Sequence, residues 1–203
     1  MEQLKSPPRI AITGGIACGK SHFSSLLARE GMTILDADEV VHRLEAPGGL
    51  ATLSIQDAFG SDMILPDGGV DRRRLGQLVF SDPLARSTLN KIVHPLVKDA
   101  IKSWFLCPYP DLKAVAVPLL FESGWDREFD VIVCLASDEA LQIERMIKTR
   151  GYTASEAYLR IHSQMPVAEK ASRSHIVVWN NSDLAFLDRE ARRVYGLLKE
   201  KCL

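Results

Sequence analysis

Residues 10–23, IAITGGIACGKSHF, hold the transition on which the fold turns. The run RIAIT (9–13) is short, apolar and β-branched, the composition of a buried strand. Residues 20–30 show helical spacing, with Phe23, Leu26 and Leu27 on one side and Gly31 as the C-terminal stop. Between them Gly14, Gly19, Lys20 and Ser21 satisfy G-x-x-x-x-G-K-[ST], in the strand-turn-helix setting that the pattern needs. Glycines let successive N–H groups converge on an anion with no Cβ in the way, and a helix N-terminus adds partial positive charge. The expected ligand is a nucleoside triphosphate. Gly15, Ile16, Ala17, Cys18, Gly19, Lys20 and Ser21 cradle its phosphates, with Lys20 reaching the β- and γ-phosphates and Ser21 holding Mg²⁺.

The rest of the composition keeps that binding local. The chain has 203 residues, enough for one domain with room for an inserted lobe, and 46% of them are hydrophobic. With 25 basic and 26 acidic residues the formal net charge is −1, which argues against a broad nucleic-acid or membrane footprint. The opening MEQLKSPPRI has no apolar h-region, and no later window is long and apolar enough for a membrane span, so a cytoplasmic protein is expected. Cys18, Cys107, Cys134 and Cys202 show neither a C-x-x-C pair nor metal-ligand spacing with the histidines, and read as free thiols. Cys18, beside Lys20 at a helix start, has two readings: a thiol of depressed pKa, or, preferred, a small residue that fits.

Strand-like runs recur downstream: TILDA (33–37), KAVAVPLLF (113–121), DVIVCLA (130–136) and SHIVVWN (174–180). Pro118 is awkward in a central strand, so the second of these ends early or carries a bulge. A last helix covers about residues 183–199, with Leu184, Leu187, Ala191, Val194 and Leu198 in register. Strands alternating with helices imply an α/β fold with a parallel sheet and right-handed crossovers. Two connections exceed a simple crossover. One, between Asp38 and Asp111, is helical in pattern and broken by the turn PDGG (66–69). The other, 137–170, reads as two helices: Ser137 caps the first, Thr153 and Glu156 form a capping box for the second, and Pro166 follows its end. Along the second connection and just beyond it lie Arg145, Lys148, Arg150, Arg160, Lys170 and Arg173, either a solvated face or a cationic cover for a triphosphate.

A phosphate loop serves nucleotide switches as well as kinases. The guanine-reading N-K-x-D is absent, since NKIV (90–93) ends in Val93, and DAFG (57–60) is not at a strand end. A kinase must place an acceptor hydroxyl in line with the γ-phosphate. Asp36 and Asp38, leaving the second strand, supply a carboxylate that orients or deprotonates a hydroxyl, or else simply an acidic helix start. Glu122, directly after KAVAVPLLF, is either an outer acid for Mg²⁺ or a surface residue.

The ordered set ITGGIACGKS, DADEVVHRL, FGSDMILPDGGVDRRRLGQLVF, LNKIVHPLV, VPLLFESG, QIERMIKTRGYTASEAYLRIHSQM and IVVWNNSD resembles the bacterial dephospho-CoA kinase family from about residue 9 to about 190. The resemblance implies a P-loop kinase fold like that of nucleoside-monophosphate kinases. It divides the chain into a core (9–38, 112–137, 171–203), an inserted helical acceptor lobe (39–111) and a basic helical lid (138–170). It also implies ATP- and Mg²⁺-dependent phosphorylation of the ribose 3′-hydroxyl of dephospho-CoA, in a monomer or weak homo-oligomer. Under it Lys20, Asp36 and Arg145 carry the catalysis, with Asp36 as base; Arg145 and Arg150 are lid arginines on ATP; Asn180 lies near adenine. Asp36, Asp38, Arg72, His94 and Glu122 face the acceptor side. This chain departs from the family pattern at Ala17 and Cys18, where glycine and serine are usual, and at Ser174 and His175, where alanine and aspartate are common. Another nucleoside or nucleotide kinase, and a non-catalytic nucleotide-binding switch, are the alternatives.

Overall fold

The computed structural model describes residues 8–107 and 112–202. The polar tail before Pro8, the expected lobe boundary at Asp111 and the side chain of Cys202 lie outside the described residues. Two compact units divide the chain, one built from the residues up to Leu35 and those after 107, the other from Asp36–Cys107.

The first unit contains a five-stranded parallel sheet in the order β2-β3-β1-β4-β5: β1 Ile10–Gly14, β2 Thr33–Asp36, β3 Lys113–Ala116, β4 Val131–Ala136 and β5 Ile176–Trp179. Every residue of β1, β3 and β4 is buried, which is why they lack a polar-apolar alternation: helices cover both faces of a parallel sheet. β1 runs parallel to β3 on one side and to β4 on the other, with Ile12 opposite both Ala116 and Val133. The chain leaves β1 for the β2 side and reaches β4 only later, so the end of β1 is the point where the winding reverses, and there α/β sheets open a crevice.

Helix α1 (Lys20–Arg29) packs Phe23, Leu26 and Leu27 onto the sheet beside Leu187, Ala191, Val194 and Leu198 of α9 (Leu184–Cys202). Full burial of each such side chain contributes about 2 kcal/mol, enough to hold α1 immediately behind the loop that precedes it. KAVAVPLLF is a strand only as far as Ala116, and the turns that follow run from Pro118 to Gly124. Pro118 has no N–H to continue a ladder, so the early end is the outcome. After β4 come α6 (Glu139–Arg150), α7 (Ala154–His162) and a further helix after Pro166, α8 (Val167–Ser172). The capping box of α7 is present: Thr153 Oγ1 accepts from Glu156 N, and Thr153 N donates to Glu156. Ser137 does not cap α6. Asp138 occupies that position, and the Ser137 hydroxyl turns inward to donate to Asn180 O at 2.8 Å.

The second unit is helical: α2 (Ala37–Glu45), α3 (Thr52–Phe59), α4 (Arg72–Ser81) and α5 (Pro83–Leu106). α5 opens on Asp82 as N-cap with Pro83 in its first turn and carries Pro95 inside, whose missing N–H leaves the Lys91 carbonyl without its helical donor. The PDGG turn closes a short antiparallel bridge between Ile64 and Val70. Among the described residues, no helix is long and apolar enough to cross a membrane.

The departure at Ser174 and His175 has a local solution. His175 Nδ1 accepts from Ile132 N at 3.0 Å while His175 N donates to Ile132 O, so the imidazole is satisfied at the mouth of the β4–β5 pair. Substituting His175→Leu is expected to lower stability by about 1 kcal/mol and His175→Asp to retain it, as read from urea midpoints.

Candidate active site

The loop between β1 and α1 is held from behind by three side chains on three consecutive carbonyls. Gln142 Nε2 donates to Ile16 O at 2.6 Å, Arg145 donates to Ala17 O at 3.4 Å, and Asn180 Nδ2 donates to Cys18 O at 3.0 Å. Gln142 and Arg145 come from α6, and Asn180 follows β5, so the loop is shaped by residues more than a hundred positions away. In a trans peptide the N–H points opposite to its C=O. Turning the Ile16 and Cys18 carbonyls outward therefore turns the Ala17 and Gly19 amides inward. Among the described residues, the N–H groups of Ile16, Ala17, Gly19, Lys20 and Ser21 donate to no protein acceptor. Gly15 N is tied to Leu135 O, and Cys18 N to Gly15 O.

Space around the loop fits this role. A Cβ on Gly15 would stand 2.7 Å from Gln142 Nε2, and one on Gly19, whose φ is +91°, 2.6 Å from Asn180 Nδ2. Ala17 occupies the left-handed region at φ +57° without being glycine, at a cost of about 1 kcal/mol. Lys20 has no ion-pair or hydrogen-bond partner among the described residues and is half-buried. The Ser21 hydroxyl is exposed. A single hard oxygen beside a phosphate cradle suits Mg²⁺, which takes most of its ligands from phosphate and water. Among the described residues, no cluster of three His, Cys, Asp or Glu could bind a metal alone.

Beside the loop lies an open cavity of about 300 Å³ lined by Ala17, Gly19, His22, Arg145, Asn180, Ser182, Asp183, Leu184 and Leu187. Arg145 forms one wall. Its guanidinium is fixed by Ser137 Oγ at 2.9 Å and Asn180 O at 2.8 Å, leaving its flat face to stack. Asn180 lines the cavity, but its side-chain amide and its carbonyl are both committed, so it braces the loop. The Cys18 thiol is fully buried and burial pushes its pKa up, contrary to the reading of an activated thiol: desolvation outweighs the hydrogen bonds of Ser137 and Gly15 and the pull of Arg145.

Most of the basic residues of the α6–α8 region face protein partners. Lys148 pairs with Glu144, Arg160 lies over the Tyr152 ring, and Arg173 meets Asp126 and the Phe121 ring. Lys170 is wholly buried, with Nζ 2.8 Å from Glu122 Oε1 and 3.2 Å from Pro118 O. Glu122 also accepts from Met165 N at 3.0 Å, so it joins the start of α8 to the turns after β3, and among the described residues no hydrogen bond or ion pair joins Glu122 to the phosphate loop. Arg150 is exposed at the end of α6, with no partner among the described residues.

Asp36, Asp38, Arg72 and His94 belong to the second unit. Asp36 caps α2, its Oδ1 accepting from Asp38 N at 2.9 Å; this fixes the carboxylate and leaves Oδ2 with no donor among the described residues. Asp38 is exposed in the first turn of α2. Arg72 Nε donates to Glu45 Oε2 at 3.0 Å; Glu45 is buried, and desolvation raises its pKa against the pull of Arg72. Half-buried His94 has its pKa lowered by desolvation and by Lys98.

Comparison with known proteins decides the family. A dephospho-CoA kinase family model matches residues 9–185. The chain belongs to the dephospho-CoA kinase family. It is 38% identical over 198 residues to the dephospho-CoA kinase of Symbiobacterium thermophilum, covering 95% of this chain and 81% of that protein. It is 36% identical over 194 residues to that of Geobacter sulfurreducens, covering 92% and 96%. The crystal structure of TT1252 from Thermus thermophilus superposes with a TM-score of 0.82 at 31% identity, covering 96% and 99%. Gln142 is the loop contact that residue-by-residue reasoning left without a role. It opens the stretch QIERMIKTRG that carries the family resemblance, and a glutamine at a position with only 2% exposure is the signal that marks it.

Replacing Lys170 by Met leaves Glu122 without its cation in a site closed on one side. A loss of about 3 kcal/mol is expected, with Glu122→Gln in the same direction, measured as the urea midpoint of the whole chain.

Proposed function

We propose that this chain phosphorylates the ribose 3′-hydroxyl of dephospho-CoA with ATP, giving coenzyme A and ADP. The observation that carries the reading is the run of amides at Ile16, Ala17, Gly19, Lys20 and Ser21, unpaired among the described residues, with Lys20 likewise unpartnered beside them. These donors are preorganised for an anion and need no rearrangement as charge develops on it. Lys20 would hold the β- and γ-phosphates, and Ser21 would hold Mg²⁺, which when bound neutralises phosphate charge. The base would lie against the Arg145 guanidinium over Leu184 and Leu187, with Asn180 bracing the wall.

The acceptor hydroxyl is assigned to Asp36. Its cap bond to Asp38 N fixes the carboxylate, and Oδ2 is left to orient the hydroxyl or take its proton as the oxygen bonds to the γ-phosphorus and the β–γ bridge breaks. Arg72, half-exposed and held by Glu45 through Nε alone, keeps its terminal nitrogens for an anionic part of the acceptor. His94 and Asp38 belong to the same acceptor unit. Arg150, exposed and unpartnered, is the lid cation that remains for the triphosphate. In this reading residues 138–170 act as the lid, 39–111 as the acceptor lobe, and the enzyme works in the cytoplasm as a monomer or weak homo-oligomer.

The test is ADP release with dephospho-CoA against adenosine, AMP and no acceptor. Release dependent on dephospho-CoA supports the proposal. Preference for another acceptor would make the chain a different nucleotide kinase, and tight ATP binding without acceptor-dependent ADP would make it a switch. Lys20→Ala is expected to cut turnover by about 10²- to 10³-fold. Asp36→Asn should lower kcat far more than it weakens ATP binding, whereas equal losses would assign Asp36 a structural role.

A further inference from the structure

We infer that Gln142 is a positioning residue for the nucleotide phosphates, and that this chain needs it because Ala17 stands where a strain-free loop would have glycine. The inference rests on the phosphate reading of the loop and deepens it. Gln142 sits on α6, 2% exposed, and its amide Nε2 donates to Ile16 O at 2.6 Å across 126 residues of sequence. A Cβ built on Gly15 would meet Gln142 Nε2 at 2.7 Å, Cys18 Sγ at 2.8 Å and Val167 Cγ2 at 3.1 Å, so the glutamine is packed into the back of the loop.

The bond matters through the peptide it grips. Ile16 C=O and Ala17 N–H belong to one planar trans unit and point in opposite directions. Held outward by Gln142, that carbonyl keeps the Ala17 N–H facing the phosphates, and this geometry requires the φ of +57° at Ala17. An alanine prefers negative φ. Rotation of the 16–17 peptide reaches negative φ by turning the N–H away and presenting a carbonyl oxygen to the phosphates instead. Gln142 opposes that rotation. A glycine at 17 would have little preference for it, so the hold of Gln142 and the side chain at 17 are coupled.

The experiment is a double-mutant cycle on the full chain: Gln142→Met, Ala17→Gly and the combination, reading the Kd of ATP with Mg²⁺ by calorimetry and thermal midpoints without nucleotide. Gln142→Met is expected to weaken ATP about tenfold in the otherwise unaltered chain, and less than about threefold when combined with Ala17→Gly. Equal factors in both backgrounds, or a fall in thermal midpoint with unchanged Kd, would overturn the inference and leave Gln142 a core residue. Should Gln142→Met fail to fold, the same cycle with Gln142→Glu keeps the volume and removes the donor. Repulsion between a carboxylate and phosphate weakens ATP equally in both backgrounds, so only a background-dependent loss supports the inference. Failure of the unaltered chain to bind ATP would instead overturn the phosphate reading itself.

Discussion

The phosphate loop depends on the planarity of its peptides. Once Ile16 and Cys18 have their carbonyls drawn outward by Gln142 and Asn180, the direction of the Ala17 and Gly19 N–H groups follows from covalent geometry. The glycines permit this arrangement, but the distant side chains impose it. Unpaired amides at the surface of a folded protein are tolerable in water and become an asset only when an anion arrives. The structure keeps them pointed at one place, so no reorganisation is needed on binding.

The same economy of contacts explains why a nearly neutral protein can carry so many basic residues near its nucleotide loop. Lys170 is neutralised by Glu122, Arg173 by Asp126 and Lys148 by Glu144; the first two pairs tie the α8 region to the turns after β3, and the third lies within α6. Arg145 is held by neutral oxygens and keeps its charge uncompensated. The Arg145 guanidinium is thus a fixed positive charge in the cavity wall, more selective than a general positive field would be.

The strand-to-helix junction was legible from residues 10–23 because glycine, lysine and serine at that spacing between a β-branched run and a helical face serve few other purposes. The α7 capping box was equally legible, since a local motif needs only local sequence. Ser137 was misread because a serine before two acidic residues has the composition of a cap, whereas its hydroxyl is drawn 43 residues along the chain to Asn180 O. Glu122 looked like the end of a strand because the apolar run continues past Pro118; that part of the run forms turns instead, with Leu120 and Phe121 buried and Leu119 exposed. At Cys18 the preferred reading, a small residue that fits, agrees with its full burial, and the alternative of a depressed pKa does not, since burial raises it.

Sequence alone determined the alternation of strand and helix, the phosphate loop and the family to which the chain belongs, because each is carried by periodicity or by motifs within short stretches. Only tertiary structure decided which side chains hold the loop and which cations are already spent on distant partners. Those outcomes depend on contacts between residues far apart in the chain, made when the sheet order brings α6 and the end of β5 to the loop after β1.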